Sequence, residues 1–382
     1  MTEDWTSGTL SDLAVANPDK ASAIRGLERF RYIDISCLSE DGLAQADSVP
    51  VISAAEAPSR AQRLVKTGDS LIGTVRPERG ARGLVGTGLD GEVASSGICV
   101  LRPKLASDAV FVFAVIRDPS FTEWCVNHST GTSYPAVAPA DISRYPLLVP
   151  PPSERQRIAE VLGTLDDRIE TISRLEDNLL AFGLASLDVH LDRGESASLR
   201  VDEIASFENK LRIPLSQQER DKRQGPFPYH GATGIFGYVD DYLFDSFRVL
   251  VGEDGSVIDD EGHPVLQLAH GKYWVNNHAH VLKGNKVPTE ALWFLMRGLL
   301  VDPAVTGAVQ PKLSMGRLSA LEVQAPELSS PFYEHSIEWI SQVLRWRDDM
   351  TSLRAARDFL LPRLVSGELR VEAVEEEVEA LT

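Results

Sequence analysis

The sequence predicts an α+β protein: two mixed α/β domains in pseudo-two-fold tandem repeat, separated by two long antiparallel coiled-coil helices. Three observations predict it. The chain repeats itself, two helical seams of similar length occur, and short strand-like runs do not alternate regularly with helices. The repeat organises the rest. Gly131-Thr-Ser-Tyr-Pro135 is followed by Arg144-Tyr-Pro-Leu-Leu-Val-Pro150, and Gly307-Ala-Val-Gln-Pro311 by Ala320-Leu-Glu-Val-Gln-Ala-Pro326. Gly, Pro and Pro thus recur at the same offsets, 176 residues apart. Upstream, Val112-Phe-Ala-Val-Ile-Arg117 is similar to Leu292-Trp-Phe-Leu-Met-Arg297, and Val100-Leu-Arg102 to Val281-Leu-Lys283. The expected division is a mixed domain over 1–150, a long helix over 151–192, a second domain over 193–328, a second helix over 329–369 and an acidic tail over 370–382.

In the first domain, Tyr32–Ile35, Ser70–Val75 and Ile98–Leu101 read as strands, with a helix near 109–127. In the second, Phe247–Gly252, Tyr273–Val275 and Ala279–Leu282 read as strands, with a helix near 288–301. The first long helix is expected to start at Ser153, with Gln156 completing a capping box. Its seam runs Ile158, Leu162, Leu165, Ile169, Ile172, Leu175 (or Glu176 in strict phase), Leu179 and Phe182. Steps alternating between four and three make the narrow stripe of a coiled coil. The second helix is expected to begin at Ser330-Pro331 and stop at Gly367. Its seam runs Trp339, Val343, Trp346, Met350, Leu353, Arg357, Leu360 and Leu364. About 35 helical residues make a rod of about 50 Å, longer than the roughly 34 Å of one turn of B-DNA.

Composition narrows the function classes. The 382 residues are 43% hydrophobic and 25% charged, as in ordinary globular proteins. No apolar run approaches the ~20 residues of a membrane span, and the acidic, polar amino terminus does not read as a secretory signal. Cys37, Cys99 and Cys125 are scattered without a Cys-x-x-Cys pair, which suits a reducing cytoplasm rather than a disulfide or zinc framework. A cytoplasmic protein is expected. The net charge of −18 is unfavourable for contact with phosphates. Of it, −5 comes from the segment Glu368–Thr382. Such a chain should bind nucleic acid weakly alone, through local basic loops, with a partner supplying more positive surface.

Several motifs resemble the DNA-specificity subunit of type I restriction-modification systems. In the first domain they are Ala57-Pro-Ser-Arg-Ala-Gln-Arg63, Gly68-Asp-Ser-Leu-Ile-Gly-Thr-Val-Arg-Pro77, Gly131-Thr-Ser133 and Pro150-Pro-Pro-Ser-Glu-Arg-Gln-Arg-Ile158. In the second they are Tyr229-His-Gly-Ala-Thr-Gly234, Leu250-Val-Gly-Glu-Asp-Gly255 and Trp274-Val-Asn-Asn-His278. The similarity runs from about Asp34 to Leu369. It implies two target-recognition domains reading a split double-stranded target, and helices that set the gap and dock two modification subunits. Those partners resemble adenine-N6 methyltransferases that use S-adenosylmethionine, so no cofactor is expected on this chain. A restriction (motor-nuclease) subunit can join such complexes, and the family accounts for the acidity because the methyltransferases surround the DNA. The acidic tail and the irregular second seam depart from the family pattern.

The loop Arg76-Pro-Glu-Arg-Gly-Ala-Arg-Gly83 offers Arg76, Arg79 and Arg82 to phosphates or guanine edges, with Arg60, Arg63 and Lys66 as neighbours. Thr132, Ser133 and Tyr134, and in the other copy Gln310 and Lys312, supply donors and acceptors on a loop that keeps its frame. In the second domain Tyr229, His230 and Thr233 are DNA-facing candidates. Each of these loops also has a structural reading as a turn or a solvated surface. His263, His270, His278 and His280 fit no metal motif, and His278 and His280 would share one face of a strand. Asp202 with Glu208-Asn-Lys210 is too short a pattern to mark a nuclease. Pro150-Pro-Pro152 lacks the acid or amide that precedes the prolines of an adenine methyltransferase. No catalytic residue and no metal site are expected. The rival readings are a coiled-coil scaffold without sequence-specific DNA binding, and an enzyme acting on nucleic acid by itself.

Overall fold

The computed structural model describes residues 5–20, 28–39, 42, 46–192, 196–307 and 310–372. The acidic tail beyond Glu372 lies outside them. Two compact units divide the chain: Met1–Glu170 with Thr351–Thr382, and Thr171–Met350. Each long helix gives one half to each unit.

In the first unit, Thr6–Thr9 pairs antiparallel with Pro146–Val149. A four-stranded sheet runs in the order Ala14–Ala16, Ile98–Pro103, Ser70–Gly73, Arg82–Leu84. A second runs Val51–Ser53, Arg29–Ile33, Val93–Ser95, Ala61–Leu64, with Tyr32 and Ile33 parallel to Val93 and Ala94. The second unit repeats this plan strand for strand. Ser196–Arg200 pairs antiparallel with Glu322–Pro326. One sheet runs Ala205–Phe207, Ala279–Gly284, Arg248–Gly252, Leu266–Ala269. The other runs Ile235–Val239, Phe227–His230, Lys272–Val275, Phe244–Asp245, again with its central pair parallel. Identical sheet orders, including the parallel pair, make the repeat a repeat of fold.

The helix expected near 109–127 is two, Ala109–Arg117 and Pro119–Asn127. Pro119 has no N–H to continue the first helix, and Asp118 caps the second by accepting from Ser120 N at 2.7 Å. Strand Arg29–Ile33 begins and ends earlier than the run Tyr32–Ile35 suggests, because Asp34 caps a 3-10 turn over Ile35–Cys37.

The first long helix spans Pro152–Asp192, so Ser153 is helical rather than its cap. The expected capping box does not form: Gln156 donates to Glu160 at 2.9 Å instead, and Pro152 occupies the first helical position that tolerates a missing N–H. The second spans Phe332–Ser366. Ser330 Oγ accepts from Phe332 N, and Gly367 ends the helix at a φ of +76°.

The two helices pair antiparallel within each unit. In the first, Ile158 and Leu162 bury with Leu361, Leu364 and Val365 against Phe111, Val112 and Phe121. In the second, Leu187 and the ring pair Phe182–Trp339, 5.5 Å between centroids, face Phe332, Ile340 and Val343 around Phe294. Each such buried apolar side chain contributes about 1.5–3 kcal/mol. Strict phase decides the ambiguous seam position: Glu176 is buried, and Leu175 is exposed. Gly183 takes the buried place beside Phe182, because a Cβ there would lie 2.3 Å from Phe294 Cε1.

The buried seam charges are paired. Arg347 donates from Nε and Nη2 to Glu176 at 2.9 and 2.6 Å. Arg357, also buried, donates to Asp166 at 3.1 Å and to Asp358, while Arg117 reaches Asp166 at 2.7 Å.

Candidate nucleic-acid interface

In each unit the loops at one end of the central sheet carry the polar residues, held by the same backbone bonds. Thr130 and Ala136 exchange hydrogen bonds in the first unit, and Thr306 and Lys312 exchange them in the second. Gly131 and Gly307, with φ of +99° and +92°, turn the two loops. A Cβ on either would press into the carbonyl of Tyr134 or Gln310, at 3.1 and 2.4 Å.

On this frame Thr132, Ser133 and Tyr134 are exposed, Tyr134 by 70%. The Arg76 guanidinium lies over the Tyr134 ring, 5.0 Å from its centroid. Arg76 itself sits at φ +54°, a left-handed conformation rare for an arginine, and its N–H donates to Pro135 O at 2.8 Å. Arg79 is exposed on the 3-10 turn Pro77–Arg79 that follows. A cation stacked on a tyrosine, with hydroxyls beside it, suits a phosphate or the edge of a guanine.

Arg82 does not belong to this surface. It is 7% exposed, its N–H donates to Ser39 O at 3.0 Å, and its guanidinium bonds Thr122 and lies over the Phe121 ring. The expected three-arginine mobile loop is therefore a short turn with two arginines near solvent. The alternation of strand Arg82–Leu84 points the third inward. Of its neighbours, Lys66 is tied to Asp19 at 3.6 Å, and Arg63 lies in strand Ala61–Leu64.

Two second-unit candidates are likewise structural. Tyr229 is 1% exposed, with its hydroxyl accepting from Leu215 N at 2.9 Å. His230 is buried edge-on to Tyr273, Nδ1 2.9 Å from Gln267 Oε1, and desolvation holds its pKa below the ordinary histidine value. Both are buried, on opposite faces of the strand Phe227–His230, because that strand is central in its sheet. Thr233 is exposed in the turn that follows, and Gln310 is exposed on the glycine-turned loop. Lys312 is exposed but neutralised locally by Glu253 at 3.6 Å and Asp254 at 3.8 Å.

Residues not singled out as DNA-facing from the sequence gather elsewhere in the second unit. A cleft of about 290 Å³ is lined by Arg220, Phe236, Asn276, Asn277 and His278 among others. Arg220 lies over the Tyr229 ring at 5.0 Å, and Phe236 is half exposed with its ring over Gly231. The run Asn276-Asn-His278 between two strands was the available signal.

The histidines are separately engaged. His280 is fully buried, donating from Nε2 to Leu313 O at 2.8 Å and accepting at Nδ1 from Asn209 at 2.9 Å. His278 lies in the turn before the strand, not on it, and bonds Asp254. His270 meets Asp348 at 2.8 Å, and His263 lies 3.6 Å from Asp259. Asp202 is held by Arg200 at 2.7 Å and Glu208 by Arg248 at 2.7 Å. Among the described residues no group of three His, Cys, Asp or Glu is placed to hold a metal ion. Burial pushes the Cys99 and Cys125 thiols up to about 12, away from the range of a nucleophile. No helix among the described residues is long and apolar enough to cross a membrane.

A family model described as the type I restriction modification DNA specificity domain matches residues 3–181. A Haemophilus influenzae protein named as a candidate type I restriction enzyme specificity subunit is 34% identical over 130 residues, 34% of this chain and 33% of that one. The chain thus spans about a third of that relative's length. The MjaIX type I specificity subunit of Methanocaldococcus jannaschii is 20% identical over 308 residues, covering 71% of each. Among solved structures, a type I restriction-modification S subunit from M. genitalium is 14% identical and aligns over 95% of this chain and 96% of its own, with a TM-score of 0.55. That likeness is one of fold.

Proposed function

We propose that the chain, which over residues 3–181 is similar to the type I restriction modification DNA specificity domain, reads a bipartite double-stranded DNA sequence and performs no chemistry itself. Residues 1–150 and 193–328 act as the two target-recognition domains, and 151–192 and 329–369 form the spacer between them. The helix pair docks two modification subunits, adenine-N6 methyltransferases that carry S-adenosylmethionine, and a restriction subunit can join for cleavage.

The observation that carries this reading is the strand-for-strand repeat whose equivalent loops keep their backbone bonds while their side chains differ. Two copies of one frame with different faces are what two different half-sites require. In the first domain Arg76 on Tyr134, with Arg79, Thr132 and Ser133, meets the DNA. In the second, Thr233, Gln310 and Lys312 lie toward it. The acidity of the chain, −18 overall, makes binding depend on basic surface from the methyltransferases.

Methylome sequencing of cells with and without the chain tests the proposal. The expected outcome is a split adenine-methylation motif that vanishes with the chain. An unchanged methylome favours the scaffold reading, and methyl transfer by the purified chain alone favours an autonomous enzyme.

A further inference from the structure

The two units swap the strand from which a side chain reaches the same place. In the first unit Thr74 N–H donates to Gly97 O at 2.9 Å, and Arg76 N–H to Pro135 O at 2.8 Å. In the second, Glu253 N–H donates to His278 O at 2.8 Å, and Gly255 N–H to Pro311 O at 3.0 Å. Arg76 therefore corresponds to Gly255, and Gly97 to His278. One unit presents an arginine opposite a bare glycine, and the other presents a histidine opposite a bare glycine.

We propose that His278 and Asn276 form a base-reading pair in the second unit, and that the base they read is adenine, held by its major-groove edge. This rests on the reading of the chain as a DNA-sequence reader. Both residues line the cleft of about 290 Å³, together with Asn277 and Phe236. The Asp254 carboxylate accepts from His278 Nδ1, so in the neutral ring Nε2 is left as an acceptor. Asn276 is 4% exposed, and its Oδ1 accepts from His278 N–H at 2.7 Å. Its amide nitrogen has no partner among the described residues and is left as a donor. One donor and one acceptor on residues lining the same cleft are the groups that adenine calls for, since it shows N7 as acceptor and N6–H₂ as donor in the major groove. Guanine places O6 where adenine has N6–H₂, opposing one lone pair to another.

The same turn is a poor phosphate site. Glu253 and Asp254 lie against it, and their charge is only locally balanced, by Arg212 at 2.8 Å and Lys312 at 3.6 and 3.8 Å. With two carboxylates matched by two cations, the turn has no surplus positive charge to draw a phosphate, and a neutral base edge is the fitting occupant.

The test is the methylation motif of cells expressing the full chain with its own methyltransferase, for the parent, His278→Ala and His278→Gln. His278→Ala should relax one adenine position of one half-site about tenfold, leaving the other half-site intact. His278→Gln, which keeps an acceptor, should retain adenine there. A motif unchanged in His278→Ala, a relaxed position that was not adenine, or loss of all methylation in both variants overturns the proposal. Loss of all methylation in His278→Ala alone, with the motif kept in His278→Gln, supports it. A parent that yields no motif sinks the underlying reading instead, and so the two failures are distinguishable.

Discussion

The entry into the first long helix and the entry into the second solve one problem with opposite chemistry. Pro150 and Pro326 occupy equivalent positions, each just before a long helix, and each offers a carbonyl that needs a donor. In the first unit the donor is Arg155, at 2.7 Å, a buried guanidinium gripped by Asp108 at 2.9 and 3.0 Å. In the second it is the Tyr333 hydroxyl, at 2.7 Å, on a ring packed against Phe332. An ion pair and an aromatic wedge satisfy the same backbone atom. The ion pair is the more fragile, because removing either member leaves a charge in the core.

That contrast can be broken on purpose. Asp108→Ala should destabilise the first unit by about 3–5 kcal/mol, since it strands the Arg155 charge. Hydrogen exchange read unit by unit should show the loss there first, and equal loss in both units would refute the assignment. Arg357→Ala should cost less, about 2–3 kcal/mol, because Asp166 keeps Arg117. Urea unfolding measures it.

Mild acid should weaken the second unit before the first. His230 and His280 are held below the ordinary histidine pKa by burial, so the unfolded chain binds more protons once the pH falls below about 6.5. Stability is then lost as the pH drops further. Among the described residues the first unit holds only His128, which is exposed. Exchange rates at pH 7 and pH 5 should separate the two units. Tyr333→Phe removes one hydrogen bond and should cost about 1 kcal/mol.

The smallest stability effect with a large functional one is expected at Arg76→Gly. It relieves a left-handed arginine, which costs about 1–2 kcal/mol, but adds unfolded-chain freedom and removes the stack on Tyr134. Stability should stay within about 1 kcal/mol, while preference in one half-site falls in the methylome. A full loss of stability would mean that the residue is structural.

Much of the fold was legible because it rested on periodicity and repetition. Gly131 and Gly307 marked the same turn in both copies, and the seams through Ile158 and Val343 followed helical spacing. The break at Pro119 was present in the sequence but masked by apolar residues on both sides. Site residues were less legible, because side-chain direction depends on strand pairing. Arg82 and Tyr229 look like surface residues by type, yet their strands turn them inward. Asn276 looks like a turn residue, and only the folded cleft gives its amide a direction. Arg76 was found, but neither its left-handed backbone nor its tyrosine partner could be read from spacing.

Glu176 and Arg347 in one unit, and Asp166 and Arg357 in the other, have a consequence for how the helix pair can change with time. Purely apolar stripes can creep past one another by a turn at small cost, whereas these would have to abandon two locks. An insertion in one helix between its two charged residues must therefore be matched in the other for both pairs to re-form.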